Sequence, residues 1–177
     1  VMDEDTCMVD VAKYFVNFLV DESCGKCLPC REGLERMNEI LTGICEGYRR
    51  EEDIELLEEL SLVMRDASMC ALGGTAPNPV LTTIKYFMGE YDAHIKDKKC
   101  YAHVCKSLIE YLIDAEKCTG CLACLKACPE EAITITGTGT GTGGGEKGIS
   151  VQIIDREKCS NCGICYDICK LDAVIVR

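Results

Sequence analysis

Residues 113–135 read IDAEKCTGCLACLKACPEEAITI, and residues 154–176 read IDREKCSNCGICYDICKLDAVIV. The two stretches align without a gap at an offset of 41 residues, which marks an internal duplication. Each copy predicts a cysteine loop, one short helical turn and a β-strand, and so forms half of a small pseudo-symmetric domain. The first copy sets Cys118, Cys121, Cys124 and Cys128 ahead of Pro129. The second repeats the spacing with Cys159, Cys162, Cys165 and Cys169, followed by Lys170 in place of proline.

Three cysteines spaced by three wrap one tight loop around a cubane, while the fourth points away toward a second centre. This spacing, with proline after the first copy, is that of the bacterial two-cluster ferredoxins, so the ligands are expected to cross over. Cys118, Cys121, Cys124 and Cys169 would hold one [4Fe-4S] cluster, and Cys128, Cys159, Cys162 and Cys165 the other. Zinc also accepts four thiolates, but its knuckles pair C-x2-C with a second such pair and do not interlock fours. Backbone N–H groups of Gly120, Gly163 and their neighbours are expected to donate to sulfur, and the acidic surroundings to hold the potentials low.

Sixteen of the 177 residues are cysteine, far above the usual share. A secreted disulfide scaffold would scatter them at loop-closing spacings, whereas C-x2-C-x2-C occurs here three times. No signal peptide opens the chain and no apolar run is long enough to span a bilayer, which together predict a reducing, cytoplasmic setting. The net charge of −11, from 30 acidic and 19 basic residues, opposes nucleic acid and offers no cationic face to acidic lipid. The chain starts at Val1 without methionine and enters an apolar-periodic segment at once, so it is expected to continue a longer polypeptide.

Between the two copies runs ITGTGTGTGGGEKGIS. Its glycine content disfavours both helix and packed strand, and residues 136–148 are read as a mobile Gly/Thr-rich surface loop. A phosphate-cradling loop would need a following helix with a suitable lysine, and the strand-like SVQII follows instead.

Upstream, four segments carry apolar residues at helical spacing. Val11, Phe15, Phe18 and Leu19 share one side over residues 7–20. Leu34, Met37, Ile40, Leu41 and Ile44 recur over 31–48, with Gly47 at the exit. Ile54, Leu57, Leu60, Leu62 and Met64 follow a glutamate-rich first turn over 51–69. Past the breakers at 73–79, Val80, Ile84, Phe87, Met88 and Tyr91 continue to near Lys96. Short joins make these an antiparallel four-helix bundle over 1–96, followed by a hinge at 97–112 and the small α+β ferredoxin domain at 113–177. Glu51, Glu52, Glu58 and Glu59 read as a solvated helix face, with no acid–base role.

The third C-x2-C-x2-C lies in SCGKCLPCREG, residues 23–33, between the first and second helices, and Cys70 ends the third. In an up-down bundle these two joins share one end, so Cys70 can complete a [4Fe-4S] site with Cys24, Cys27 and Cys30. Cys30 begins the second helix, whose positive end favours an anionic cluster. Lys26 and Arg31 either tune that cluster or pair with nearby carboxylates.

SCGKCLPCREG, followed by Cys70 in MCALGGTAPNPV, resembles the C-terminal cluster domain of the NADH-oxidising flavoprotein subunits. That family includes the NADH-binding subunit of respiratory complex I and the diaphorase subunits of electron-bifurcating iron-iron hydrogenases and formate dehydrogenases. The resemblance covers residues 1 to about 96, and the fused ferredoxin favours the hydrogenase or formate dehydrogenase type. It implies the iron–sulfur portion of an NAD(P)-linked multisubunit oxidoreductase, relaying electrons between FMN and its partners. FMN and NAD(P) would sit on a preceding domain of the same polypeptide. The implied partners are a thioredoxin-like [2Fe-2S] subunit, an iron–sulfur subunit of hydrogenase or formate dehydrogenase type, and soluble ferredoxin. No residue here takes a catalytic role. The reading from another class is a zinc-organised interaction module without redox activity.

Cys7, Cys45, Cys100 and Cys105 are left over. The start of the first helix and the ends of the second and fourth lie at the other pole of the bundle. Cys7, Cys45 and His94 can therefore approach Cys100 and Cys105 there, with a structural zinc as the natural occupant. His103 competes with His94, and Cys7 and Cys45 are alternatively plain buried thiols. By the family resemblance the zinc set is Cys7, His94, Cys100 and Cys105, with Cys45 as substitute for Cys7. Such a zinc would mark the point about which the ferredoxin domain swings.

Overall fold

The computed structural model describes residue 3, residues 5–139 and residues 149–177. The chain is rich in helix and divides into two compact units, Val1–Leu108 and Ile109–Arg177. Among the described residues no helix is long and apolar enough to cross a membrane.

The first unit is built on α1 (Met8–Glu22), α2 (Leu28–Cys45), α3 (Glu52–Ala67), the short α4 (Ala71–Thr75) and α5 (Asn78–Asp92). Helix α2 is the hub: it packs against α1 and α3, and α5 also packs against α1 and α3. Leu34, Met37, Ile40, Leu41 and Ile44 of α2 are fully buried, as their spacing predicts. Burial at this level stabilises by about 1.5–3 kcal/mol per large aliphatic side chain. The α2–α3 approach is close because residue 33 is glycine. A Cβ there would come within 2.6 Å of Met64. At the other end of α2, Gly47 takes φ +82° and closes a Schellman-type cap, with Tyr48 N–H donating to the Gly43 carbonyl at 3.2 Å.

Several expectations need correction. Helix α1 buries Val9, Ala12 and Val16 and turns Phe15 and Phe18 toward solvent, a rotation of the inward face away from its aromatic residues. The inward face must sit flush on α2 and α5, and small or β-branched side chains allow that approach. In α3, Ser61 lies inward and Leu62 outward, because Ser61 satisfies its hydroxyl on the Leu57 carbonyl at 2.6 Å. Gly73 and Gly74 do not break the chain but lie inside α4, where Gly73 gives room to Ser68 and Cys30. Helix α5 is kinked at Phe87, which has φ −131° and ψ 32°, and ends in a π turn over Ala93–Asp97. Phe87 and Met88 consequently stand partly exposed.

The second unit contains β1 (Tyr111–Ile113), α6 (Ala123–Ala127), β2 (Ile133–Gly139), β3 (Ile149–Ile154), α7 (Ile164–Asp167) and β4 (Val174–Val176). Strand β1 pairs antiparallel with β4, and β2 with β3. The registers repeat the duplication: Ile113 faces Val174 and Ile154 faces Ile133, each partner displaced by 41 residues. Strand β2 runs into the Gly/Thr-rich segment as far as Gly139, with a register shift between Thr136 and Thr138. That differs from a loop beginning at 136. Backbone pairing needs no side chain, and the extra residue, Gly137, is absorbed as a bulge. The remainder of the expected loop, residues 140–148, lies outside the described residues.

Candidate metal and cluster sites

One pole of the helical unit gathers four ligand-type side chains. Cys7 is the N-cap of α1, His94 lies in the π turn after α5, and Cys100 and Cys105 follow in the next irregular stretch. All four are buried, and their ligand atoms lie within 4.8 Å of one another. Cys7 Sγ stands 3.3 Å from His94 Nε2 and 3.9 Å from Cys105 Sγ, and Cys105 N–H donates to Cys100 Sγ at 3.5 Å. The other ring nitrogen, Nδ1, bonds the Glu90 carbonyl at 2.7 Å. A carbonyl only accepts, so Nδ1 keeps a proton, and Nε2, which faces the sulfurs, is the nitrogen a metal would take on displacing its proton.

Burial lowers the basicity of this imidazole, but its hydrogen bonds to Cys100 and Cys7 outweigh that and hold its pKa at about 10. The site thus stabilises positive charge. The Cys100 thiol is held below its usual range, chiefly by its hydrogen bond to Cys105, while that same contact pushes Cys105 up. Protons held on crowded sulfurs are what a cation displaces. Three thiols and one imidazole fit tetrahedral zinc by the chemistry of the donor set. Cys45, at the end of α2, lies beside Cys105 and Asp10 and outside the four. His103 is exposed.

At the opposite pole, Cys27 caps α2 and Cys30 sits in its first turn, after Pro29. Helix α3 stops at Ala67, so Cys70 does not end it but caps α4. Met69 and Cys30 N–H groups donate to Cys27 and hold its thiol below the usual range, which brings the join after α3 up to the C-x2-C-x2-C loop. Cys30 is buried, and a Cβ on Gly73 would meet its Cβ at 3.0 Å and Ser68 Oγ at 2.5 Å. Ser68 Oγ is itself buried without a hydrogen-bond partner among the described residues. Ser23 Oγ lies 3.5 Å from Cys30 Sγ. Arg31 donates to the Gly25 carbonyl at 2.8 Å and pairs with Glu32, so it pins the loop between Cys24 and Cys27. These thiols and an unpaired hydroxyl, packed closely against Gly73, fit an anionic cubane, whose sulfurs accept such hydrogen bonds.

In the second unit both cysteine loops follow one backbone path. Gly120 and Leu122 have φ +71° and +64°, and their duplicates Asn161 and Gly163 have +51° and +82°. Glycine stands at only one member of each pair, so the left-handed turn is a demand of the loop itself. Cys128, from the first copy, lines a cavity with Cys159, Cys162 and Cys165 of the second, together with Tyr111 and Gly163. Ala132 N–H donates to Cys128 Sγ at 3.4 Å. Burial raises the Cys169 thiol, but N–H groups of Leu171, Ala173 and Val174 outweigh it and bring it down. Burial, then the charge of Cys159, pushes Cys165 up to about 11, and burial also raises Cys124. Buried thiolates so disfavoured alone are stabilised by iron. Sequence reasoning singled out these cysteines but missed Gln152, whose Oε1 accepts from Cys124 Sγ at 2.7 Å. Only its place in the duplication, equivalent to that of Tyr111, could have drawn attention to it.

A helical unit with a C-x2-C-x2-C loop at one pole, and a duplicated unit whose cysteines line a cavity, define a class of iron–sulfur electron-transfer domains. Likeness to known proteins gives the particular domains. Residues 10–94 match the NADH-ubiquinone oxidoreductase-F iron-sulfur binding region, and residues 117–173 match the 4Fe-4S dicluster domain. The chain therefore carries both, the first as the resemblance read from residues 23–33 and Cys70 had it and the second as the duplicated cysteine spacing had it. It is 52% identical to the NADP-reducing hydrogenase subunit HndC of Solidesulfovibrio fructosivorans over 77% of its own length and 28% of that protein's. It is 35% identical to the mitochondrial NADH-ubiquinone oxidoreductase 51 kDa subunit of Neurospora crassa over 54% of its length and 20% of the other's. Among solved structures it is similar to an NAD+-reducing [NiFe]-hydrogenase in the H2-reduced state, with a TM-score of 0.52 and 34% identity, over 54% of this chain and 16% of that one. The chain thus spans less than a third of the length of the curated relatives it matches. Its iron–sulfur domains are those of electron-transferring oxidoreductase subunits.

Proposed function

We propose that this chain is the electron-conducting part of an NAD(P)-linked flavoprotein subunit of hydrogenase type, with a four-helix bundle carrying one [4Fe-4S] cluster and a ferredoxin domain carrying two. The ligand sets are Cys24, Cys27, Cys30 and Cys70; Cys118, Cys121, Cys124 and Cys169; and Cys128, Cys159, Cys162 and Cys165. Cys7, His94, Cys100 and Cys105 hold a structural zinc. The observation that carries the reading is the cavity shared by Cys128 and the three cysteines 159, 162 and 165, because a ligand crossing between duplicated halves is a property of two-cluster ferredoxins and not of zinc knuckles.

When bound, each cubane supplies a one-electron couple between a flavin held elsewhere on the polypeptide and partner proteins. The chain's own residues hold and insulate: the loops wrap sulfur in backbone N–H groups, and the buried Cys30, Cys124 and Cys165 keep water from one side of each site. In the same reading FMN and NAD(P) bind upstream, the partners are a [2Fe-2S] subunit, a hydrogenase-type iron–sulfur subunit and soluble ferredoxin, and the setting is the reducing cytoplasm. Electron bifurcation is the use that such a branched set of carriers allows.

Metal analysis of anaerobically reconstituted protein tests this. The expected content is about twelve irons and one zinc per chain, with a brown absorption bleached by dithionite. A colourless protein whose cysteines hold only zinc would instead be an interaction module.

A further inference from the structure

Gln152 is the single glutamine among these 177 residues. It lies on β3 facing Ile135 and is 1% exposed. Its Oε1 accepts from the Cys124 thiol, whereas its Nε2 finds no hydrogen-bond partner among the described residues. A buried amide N–H left unpaired is unfavourable. The contact as it stands also requires Cys124 to keep its proton. A thiolate bound to iron has no proton to donate and can only accept. It repels Oε1 and attracts Nε2, and a half-turn about the last side-chain bond of Gln152 exchanges the two atoms. One rotation therefore satisfies the orphaned N–H and relieves the clash of acceptors.

The duplication shows why this matters. Gln152 follows Tyr111 by 41 residues, and Tyr111 faces Val176 as Gln152 faces Ile135. Tyr111 lines the cavity of Cys128, Cys159, Cys162 and Cys165. The same position of the repeat thus offers a phenol ring to one quartet and an amide to the other. In a backbone that is otherwise duplicated, this is a built difference between two equivalent sites.

We propose that Gln152 sets the potential of one cluster: its amide N–H donates to the Cys124 thiolate and makes the cluster of Cys118, Cys121, Cys124 and Cys169 easier to reduce than its pseudo-symmetric twin. This rests on the reading that those cysteines bind a [4Fe-4S] cluster. Reduction adds one electron, supplied by dithionite in the test, and no proton leaves Gln152. The N–H···S bond strengthens as negative charge accumulates on sulfur, so it favours the reduced form.

The test uses the reconstituted chain, made by cell-free synthesis with glutamine labelled with nitrogen-15 in the side chain. Pulsed EPR of the reduced protein is expected to show nitrogen-15 coupling to one cluster. In Gln152→Leu the reduction equilibrium of that cluster should fall roughly tenfold, about 59 mV for a one-electron couple, with the other two unmoved. Clusters present in full number, with no nitrogen coupling in the unsubstituted protein and unchanged midpoints in the variant, would overturn the inference and leave the cluster reading intact. Absence of clusters from the unsubstituted protein would overturn both. The labelling arm needs no variant, so absence of nitrogen coupling overturns the inference even if Gln152→Leu fails to fold, and Gln152→Glu, which keeps the shape but not the N–H, then supplies the midpoint comparison.

Discussion

The Sγ of Cys7 lies 3.3 Å from Nε2 of His94, across 87 positions of sequence. Glu90 fixes this meeting from both sides. Its carboxylate accepts the Met8 N–H at 2.8 Å, next to Cys7, and its carbonyl accepts Nδ1 of His94. The start of α1 and the π turn after α5 are thereby locked together, with Cys100 and Cys105 closing the group.

If these four residues hold zinc, Cys7→Ser, His94→Ala and Cys105→Ser should each remove one zinc per chain, read by native mass spectrometry. Loss of the metal should lower stability by about 4 kcal/mol when free zinc stands about 1,000-fold above its Kd. Cys45→Ala should keep its zinc and lose only packing, about 1 kcal/mol. Retention of zinc by Cys7→Ser together with its loss from Cys45→Ala would exchange their roles.

In the metal-stripped protein, His94 gives a definite dependence on pH. Its folded-state pKa of about 10 lies above the ordinary 6.5. The stabilisation is therefore fully present below pH 6.5 and is lost as pH rises toward 10. Chemical denaturation across that window should show the decline, and His94→Gln should flatten it. Zinc affinity should run the other way and strengthen as pH rises, because the metal displaces protons from sulfur.

Crossing ligands make a pairing test. Cys128→Ala and Cys162→Ala should each cost the same cluster, and together no more than either alone, about four of about twelve irons. Cys128→Ala combined with Cys121→Ala should cost two clusters. Iron and sulfide counts on the single and double variants check this.

Gly73→Val should displace Cys30 and Ser68, since even a Cβ would come within 3.0 Å of the one and 2.5 Å of the other. The expected cost is about 1–3 kcal/mol by denaturant midpoint. Iron should be lost from the helical unit alone, leaving the ferredoxin-type signals.

The cysteine chemistry was legible because ligand spacing is local: three thiols spaced by three announce a loop around a centre whatever the rest of the chain does. The core of α2 was legible for a similar reason, since a central helix must be apolar along its whole inward stripe. The face of α1 was not. Phe15 and Phe18 carry more apolar surface than Ala12, yet Ala12 lies inward because close helix contact selects for size and not for hydrophobicity alone. Helix α4 was hidden by its two glycines, of which Gly73 gives Cys30 room. The extension of β2 to Gly139 was hidden by composition, because strand pairing is a backbone property. Gln152 carries no motif at all. Its meaning comes from burial and from Cys124, both products of the fold.

Spin quantitation of the anaerobically reconstituted, dithionite-reduced chain asks whether twelve thiolates hold three cubanes. Three one-electron [4Fe-4S] signals per chain are expected, two of them lost together when the cysteines of residues 109–177 are replaced. A protein with zinc in those sites and no reducible paramagnetic centre would contradict this expectation.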